Sequence, residues 1–295
     1  MHDVIKDMKV HFLTFGDGNR LRRSAAIRLA TQSMSTRWFT SVTAAGLGTI
    51  YQLNTNFIHN HLEFISTNQR GFGYWIWKPF LIWQMPLNVS HGDIVLYCDS
   101  GCELNVFGRP RFEYYLQQTQ EYRIFAFEIN QPVYKWTKAD LLEFFGFKKE
   151  SAIRDSNQRE ATIIFAKCTP TTIRFFREWY LISTAENYHL IDDTPSNTDE
   201  HSGFIEHRHD QAIFTLLSRE VQLGTYPGCE SFFEESWVRG IHPKDMPFAA
   251  FRNSSAHARL QESGNVSDYR PAYYEGSVDY TKSEVDHFGM TFPQR

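Results

Sequence analysis

The chain has 295 residues, 42% apolar and 22% charged, with a formal net charge of −4, room for one large domain or two modest ones. That mildly acidic balance gives no footing for nucleic acid, and the absence of any run of about 18 apolar residues speaks against a membrane span. The amino terminus MHDVIKDMKV lacks the apolar centre of a signal peptide. The four cysteines, Cys98, Cys102, Cys168 and Cys229, form no CxxC pair and no disulfide framework, so the expected setting is a reducing cytoplasm.

In chain order, Val10–Thr14 reads as a first strand ending in the turn Phe15-Gly16-Asp17-Gly18. Arg22–Met34 has helical spacing, with an Ala26, Ile27, Leu29, Ala30, Met34 stripe and basic residues opposite. Trp38–Thr43 reads as a second strand, so the chain opens as β-turn-α-β, the start of a parallel α/β sheet. Tyr51–Phe64 is one or two short helices, and Pro79–Gln84 a further one with Pro in its first turn. Asp93–Cys98 is a short apolar run of β-formers between Gly92 and Ser100-Gly101, the pattern of a central strand buried on both faces. Arg109–Gln120 is helical and Tyr122–Glu128 a strand. Thr137–Phe145 is a helix capped by Thr137, with Asp140 three residues on. Thr162–Ala166 is a strand, Pro170–Ser183 a helix, Ile191–Phe204 a loop, His209–Arg219 a helix and Leu223–Thr225 a short strand. Pattern fades from Gly228. The expected fold class is α/β: a mostly parallel central sheet flanked by helices, with residues 1–227 as the catalytic domain and 228–295 as a loop-rich lid or tail of that domain.

Two stretches carry candidate chemistry. Asp99 stands at the carboxyl end of the buried strand, where open α/β sheets bind ligands. Asp99 and Glu103 are oxygen ligands suited to a hard divalent cation; the alternative is a strand-ending turn with solvated acids. In Arg70–Pro79, Gly71 and Gly73 allow close backbone approach, Tyr74, Trp75 and Trp77 offer flat faces, and Lys78 adds a cation beside a helix start. The alternative is that the tryptophans are core and Lys78 snorkels past them. Asp210 suits a helix N-cap, or a carboxylate that orients or deprotonates a hydroxyl. His242 and His257 lie in the tail, either one a possible metal or phosphate ligand.

In this order the pieces resemble nucleotide-diphospho-sugar glycosyltransferases of the GT-A type, and more closely a bacterial and viral group marked by R-G-x-G-Y-W-x-W-K-P followed by G-D-x-x-x-Y-x-D-x-G-C. These motifs stand here as Arg70–Pro79 and Gly92–Cys102. Phe15-Gly16-Asp17-Gly18 and His209-Asp210-Gln211 look like the same group, and the likeness spans roughly residues 9–220. It implies transfer of a sugar from a nucleotide-diphosphate donor, UDP- or GDP-linked, to an acceptor hydroxyl of a glycan, in the cytoplasm (the host's, for a viral source). It further implies a donor site of Phe15, Gly16, Asp17, Arg70, Gly73, Tyr74, Trp77, Lys78, Asp99, Ser100 and Gly101, with Lys78 and Asp210 in catalysis and His209, Asp210 and Gln211 on the acceptor. Such enzymes hold Mn²⁺ or Mg²⁺ on an Asp-x-Asp motif. Gly101 replaces the second Asp here, so either Asp99 works with Glu103, or a tail His such as His242 completes the shell, or metal is weakly held. Two other readings are a sugar nucleotidyltransferase, whose basic Gly-rich loop after strand one is poorly matched by Phe15–Arg20, and a non-catalytic carbohydrate-binding protein built on the aromatics.

Overall fold

The computed structural model describes residues 8–147, 152–220, 229–231 and 245–252, and the backbone of 291–293. Strand β1 (Val10–Phe15) is buried along its length and leads into helix α1 (Arg20–Thr36), which starts where the Asn19 side chain accepts the Arg22 N–H at 2.9 Å. Strand β2 (Ser41–Ala45) begins three residues later than the aromatic run suggests. Trp38 is instead stacked on Phe112 at 4.8 Å, and the Thr40 N–H closes onto the Val10 carbonyl. Helices α2 (Leu47–Leu53) and α3 (Thr55–Thr67) follow, then α4 (Trp77–Gln84) and strand β3 (Ile94–Cys98).

Strand β4 (Glu103–Leu104), helix α5 (Arg109–Tyr122), strand β5 (Ile124–Pro132), helix α6 (Ala139–Phe144), strand β6 (Asn157–Lys167), helices α7 (Pro170–Thr184) and α8 (His209–Glu220), and the short strands β7 (Phe248–Ala249) and β8 (Thr291–Pro293) are the other main elements, with single helical turns between some of them. Thr137 is not the cap of α6: the Ala139 N–H is taken by Glu200, 61 residues away, while Thr137 Oγ1 accepts from Gln158. The expected strand Leu223–Thr225, and most of 228–295, lie outside the described residues.

Among the described residues the main sheet has six strands in the order β5-β6-β3-β1-β2-β8. The pairs β1–β2 and β1–β3 are parallel; β3–β6, β5–β6 and β2–β8 are antiparallel. β5 therefore points the same way as β1, β2 and β3, and only β6 and β8 oppose them. Alternation along each strand feeds two cores. Leu13, Phe15, Val95 and Tyr97 pack with Phe80 and Leu81 of α4, Trp179 of α7 and Ile213 of α8; Val10, Phe12, Ile94 and Leu96 pack with Leu29 of α1 and Phe112 of α5. Helices thus cover both faces of a mixed, mainly parallel sheet, a three-layer α/β arrangement. None of the described helices is long and apolar enough to cross a membrane.

The connection from α3 to α4 is the least ordinary backbone. Gly71, Phe72, Gly73, Tyr74 and Trp75 all have positive φ, from 49° to 82°, and the Tyr74 and Trp75 N–H groups bond back to the Arg70 and Gly71 carbonyls. This is one turn of left-handed helix, which costs about 1–2 kcal/mol at each residue bearing a Cβ. The turn folds Trp75 back over Gly71, where a Cβ would lie 2.2 Å from the ring, and lets Trp77 Nε1 donate to the Gly71 carbonyl at 3.0 Å. At Gly73 (φ 82°) an added Cβ would meet Ile65 Cγ1 at 2.8 Å. Gly73→Ala is accordingly expected to destabilise the protein by about 1–3 kcal/mol, lowering Tm by several degrees in a thermal melt. An unchanged Tm would mean the turn does not hold this shape.

Candidate functional site

The side-chain parity of β3 sets the site. Val95 and Tyr97 face α4, so Asp99, two residues on and just past the strand, projects toward the same helix. Lys78 meets it there from the first turn of α4. The Lys78 ammonium, 3% exposed, lies 2.8 Å from Asp210 Oδ2 and 3.3 Å from Asp99 Oδ1, and donates to the Ala161 carbonyl at 3.2 Å. Asp210 arrives from the first turn of α8, so its carboxylate pairs with a cation instead of capping the helix. Tyr97 OH donates to Asp99 Oδ1 at 2.5 Å. The turn that carries Asp99 is fixed from behind by Arg28, buried in α1, which donates to the Ser100 and Cys102 carbonyls at 2.9 Å each.

Burial works against charge on Lys78, but Asp210 and then Asp99 outweigh it and hold the ammonium above its ordinary pKa. Burial raises the Asp210 carboxyl to about 6, with Lys78 pulling the other way. It also lifts the Tyr97 phenol well above its usual range, with Asp99 adding to the shift, so Tyr97 acts as a neutral donor. Burial lowers His209 to about 4. Its Nδ1 lies 2.7 Å from the Ile191 carbonyl, so Nδ1 carries the proton and Nε2 is a bare acceptor.

Lys78, Asp99, His209 and Asp210 form the floor of a cleft of 860 Å³, within the range of about 300–1,000 Å³ usual for small-molecule sites. Of the residues expected to bind ligand, Phe15, Gly16, Asp17, Arg70, Trp77, Lys78, Asp99, Ser100, Gly101, His209, Asp210 and Gln211 line it. Several do so with side chains already engaged within the protein. Phe15 and Trp77 stack on each other at 3.7 Å and are buried, so they offer edges instead of an open platform. The Asp17 carboxylate is committed to the protein, accepting from the Gly18 and Leu47 N–H groups and from Arg23. Arg70 lines the cleft while its Nη1 donates to both Asp193 oxygens and its Nη2 to Glu206.

Gly73 and Tyr74 do not line the cleft: Gly73 packs on Ile65, and Tyr74 lies behind, its ring 4.9 Å from His209. Glu103 is fully buried in β4, paired with Ala249 of β7, and is likewise not on the cleft. His242 and His257 lie outside the described residues. Glu160, Arg22, Arg208, Ser231 and Arg252, on the other hand, line the cleft without having been singled out. Arg208 sits over the Trp136 ring at 4.3 Å and pairs with Glu206. Ser231 and Arg252 come from the pattern-poor tail, whose Ala250 N–H bonds the Ser231 carbonyl. The floor is thus acidic around one buried ammonium, and guanidinium groups line the cleft with it.

No known family profile matches this chain, and no curated protein matches it. One solved structure that resembles it is mouse xyloside xylosyltransferase 1 in its apo form, with a TM-score of 0.46 and 11% sequence identity, over 82% of this chain and 97% of that one.

Proposed function

We propose that the chain is a glycosyltransferase that moves a sugar from a nucleotide-diphosphate donor to an acceptor hydroxyl. The observation that carries this reading is the Lys78 ammonium held between Asp99 and Asp210 on the floor of a cleft that arginines also line, at the carboxyl end of a central parallel strand. Breaking a sugar–phosphate bond places negative charge on the departing diphosphate. Fixed cations aimed at that charge stabilise the transition state without reorganising. Lys78, Arg22, Arg208 and Arg252 are placed to do this. Asp99, with a side chain 31% exposed, keeps acceptor capacity for a hydroxyl of the donor sugar.

The described residues do not by themselves make a divalent-metal site. Among the described residues Asp99 is the one expected ligand on the cleft, and one of its oxygens is already taken by Tyr97 and Lys78. Among the described residues no three His, Cys, Asp or Glu gather as a cation cage. No step is therefore routed through Mn²⁺ or Mg²⁺.

The test is a thermal-shift panel of UDP, GDP and free sugars on the full chain, with manganese or with EDTA, followed by donor hydrolysis across a set of UDP- and GDP-sugars. Stabilisation reports binding to the folded state. A shift with UDP or GDP together with donor turnover is the expected result. A shift with free sugars alone would favour a carbohydrate-binding protein. A shift that needs manganese would assign the missing ligands beyond the described residues.

A further inference from the structure

One carboxylate on the cleft floor has no part in the reading above. Glu160, on β6, is 1% exposed, yet it lines the cleft. Its two oxygens accept from Ser231 Oγ at 2.9 and 2.8 Å, and Cys229 Sγ reaches one of them at 3.5 Å. Both donors are neutral. Ser231 also lines the cleft and is held there from outside: its neighbour Glu230, fully buried, takes Arg111 and Tyr115 of α5, and the Ser231 carbonyl accepts the Ala250 N–H. A hydroxyl in the cleft wall, hydrogen-bonded to a buried carboxylate on the same cleft, is the geometry of a proton relay.

Resting on the sugar-transfer reading, we propose that Ser231 Oγ passes the acceptor's proton to Glu160. As the acceptor oxygen bonds to the anomeric carbon, its O–H bond breaks and that proton moves to Ser231 Oγ. The serine's own proton goes to a Glu160 oxygen. The anomeric carbon–oxygen bond to phosphate breaks, and its electron pair leaves on the diphosphate. Glu160 ends neutral and returns its proton to solvent after the products leave. Ser231 is the group that touches substrate, and Glu160 acts through it. A single displacement of this kind inverts the anomeric carbon.

Glu160 and Asp210 differ in their surroundings. Asp210 lies 2.8 Å from the Lys78 ammonium, which opposes protonation. Glu160 is faced by Asp99 and Cys102 from the turn after β3, by Cys229 and Ser231 from the tail segment, and by Thr162 on its own strand. Lys78 bonds the next residue's carbonyl. Burial, with Asp99 adding to it and the Ser231 and Cys229 bonds opposing, lifts its carboxyl to about 7, near the value at which a base works best in neutral solution.

The experiment compares the full-length wild type with E160Q and S231A. Three readouts are taken: stabilisation by UDP and GDP, the pH dependence of kcat/KM with the UDP- or GDP-sugar that turns over, and the anomer of the product. E160Q keeps the shape and the hydrogen bond to Ser231 but takes no proton. Nucleotide stabilisation is expected to persist in both variants, kcat/KM to fall about 10²–10⁴-fold in each, the acidic limb of the wild-type profile to vanish in E160Q, and the product to be inverted.

A stability readout runs beside these without needing turnover. The folded carboxyl is raised above its unfolded value, so its contribution is fully present below about 4.5 and is lost as pH rises through about 7. E160Q should therefore gain in Tm over the wild type between pH 5 and pH 8.

Wild-type rates in E160Q, or a slower enzyme with the acidic limb unmoved, overturn the relay alone. So does loss of UDP and GDP stabilisation in E160Q, which marks Glu160 as merely structural, and so does a retained anomer. A wild type that neither binds these nucleotides nor transfers sugar overturns the sugar-transfer reading, and the relay falls with it.

Discussion

Replacing Lys78 with methionine is expected to cost at least 100-fold in transfer and, separately, about 3–5 kcal/mol of stability, the range seen when one partner of a buried ion pair is removed. The two losses have different origins and can be pulled apart. The stability loss comes from Asp210, buried and deprived of its ammonium 2.8 Å away, with Asp99 as a second carboxylate nearby. Removing a preorganised charge that faces a developing anion typically costs about 3–4 kcal/mol of the barrier. Adding Asp210→Asn in the K78M background removes the stranded charge. The double variant should recover most of the lost Tm while its turnover stays low. Recovery of transfer along with stability would show that Lys78 serves the fold alone. Unimpaired hydrolysis of UDP- or GDP-sugars by the folded K78M protein would remove the physical basis of the proposed chemistry.

The part of the site legible in the sequence is the part governed by local pattern. A short apolar run bounded by glycines specifies a buried strand, the period of two then fixes which way Asp99 points, and Lys78 lies in a helix packed on that same face. The alternative reading of Trp77 as core was correct as well, and for a physical cause: its ring is stacked on Phe15 and its N–H is used by the Gly71 carbonyl.

What was not legible depends on pairings between distant residues. Asn157–Glu160 is a polar run with no alternation, and it is a strand because β5 pairs with it, Glu128 opposite Arg159 and Pro132 opposite Asn157. Since β6 runs against β3, its beginning, with Glu160, reaches the end of β3 where Asp99 sits. Ser231 and Arg252 belong to stretches with no periodicity, placed by Glu230 buried against α5 and by the β4–β7 pairing. That same pairing buries Glu103 and takes it off the cleft. The five-residue left-handed turn contradicts the steric default at three of its members, so no local rule could have found it.

Asp99→Asn gives the second large effect, and it links the two halves of the floor. Asparagine keeps an oxygen for the Tyr97 hydroxyl, so a buried donor is not stranded, and the Lys78 ammonium retains Asp210 and the Ala161 carbonyl. Tm should therefore stay near that of the wild type, whereas Asp99→Ala leaves the Tyr97 hydroxyl unpaired and should cost about 1–3 kcal/mol. Turnover should fall in both variants by about 10–100-fold, the worth of a charged hydrogen bond of about 1.5–3 kcal/mol.

The pH profile carries the sharper expectation. The Asp99 charge raises the pKa of both Asp210 and Glu160, so neutralising it makes each a weaker base. The acidic limb of kcat/KM should move to lower pH in Asp99→Asn, so that the variant's deficit is smallest in mild acid and grows toward neutrality. A metal ligand lost at this position would behave otherwise: added manganese would restore much of the rate and the limb would stay where it was. A drop in rate with an unmoved limb and no response to manganese would mean that Asp99 and Glu160 do not share one electrostatic site, because a carboxylate on the same cleft floor cannot lose its charge without changing how readily its neighbour takes a proton.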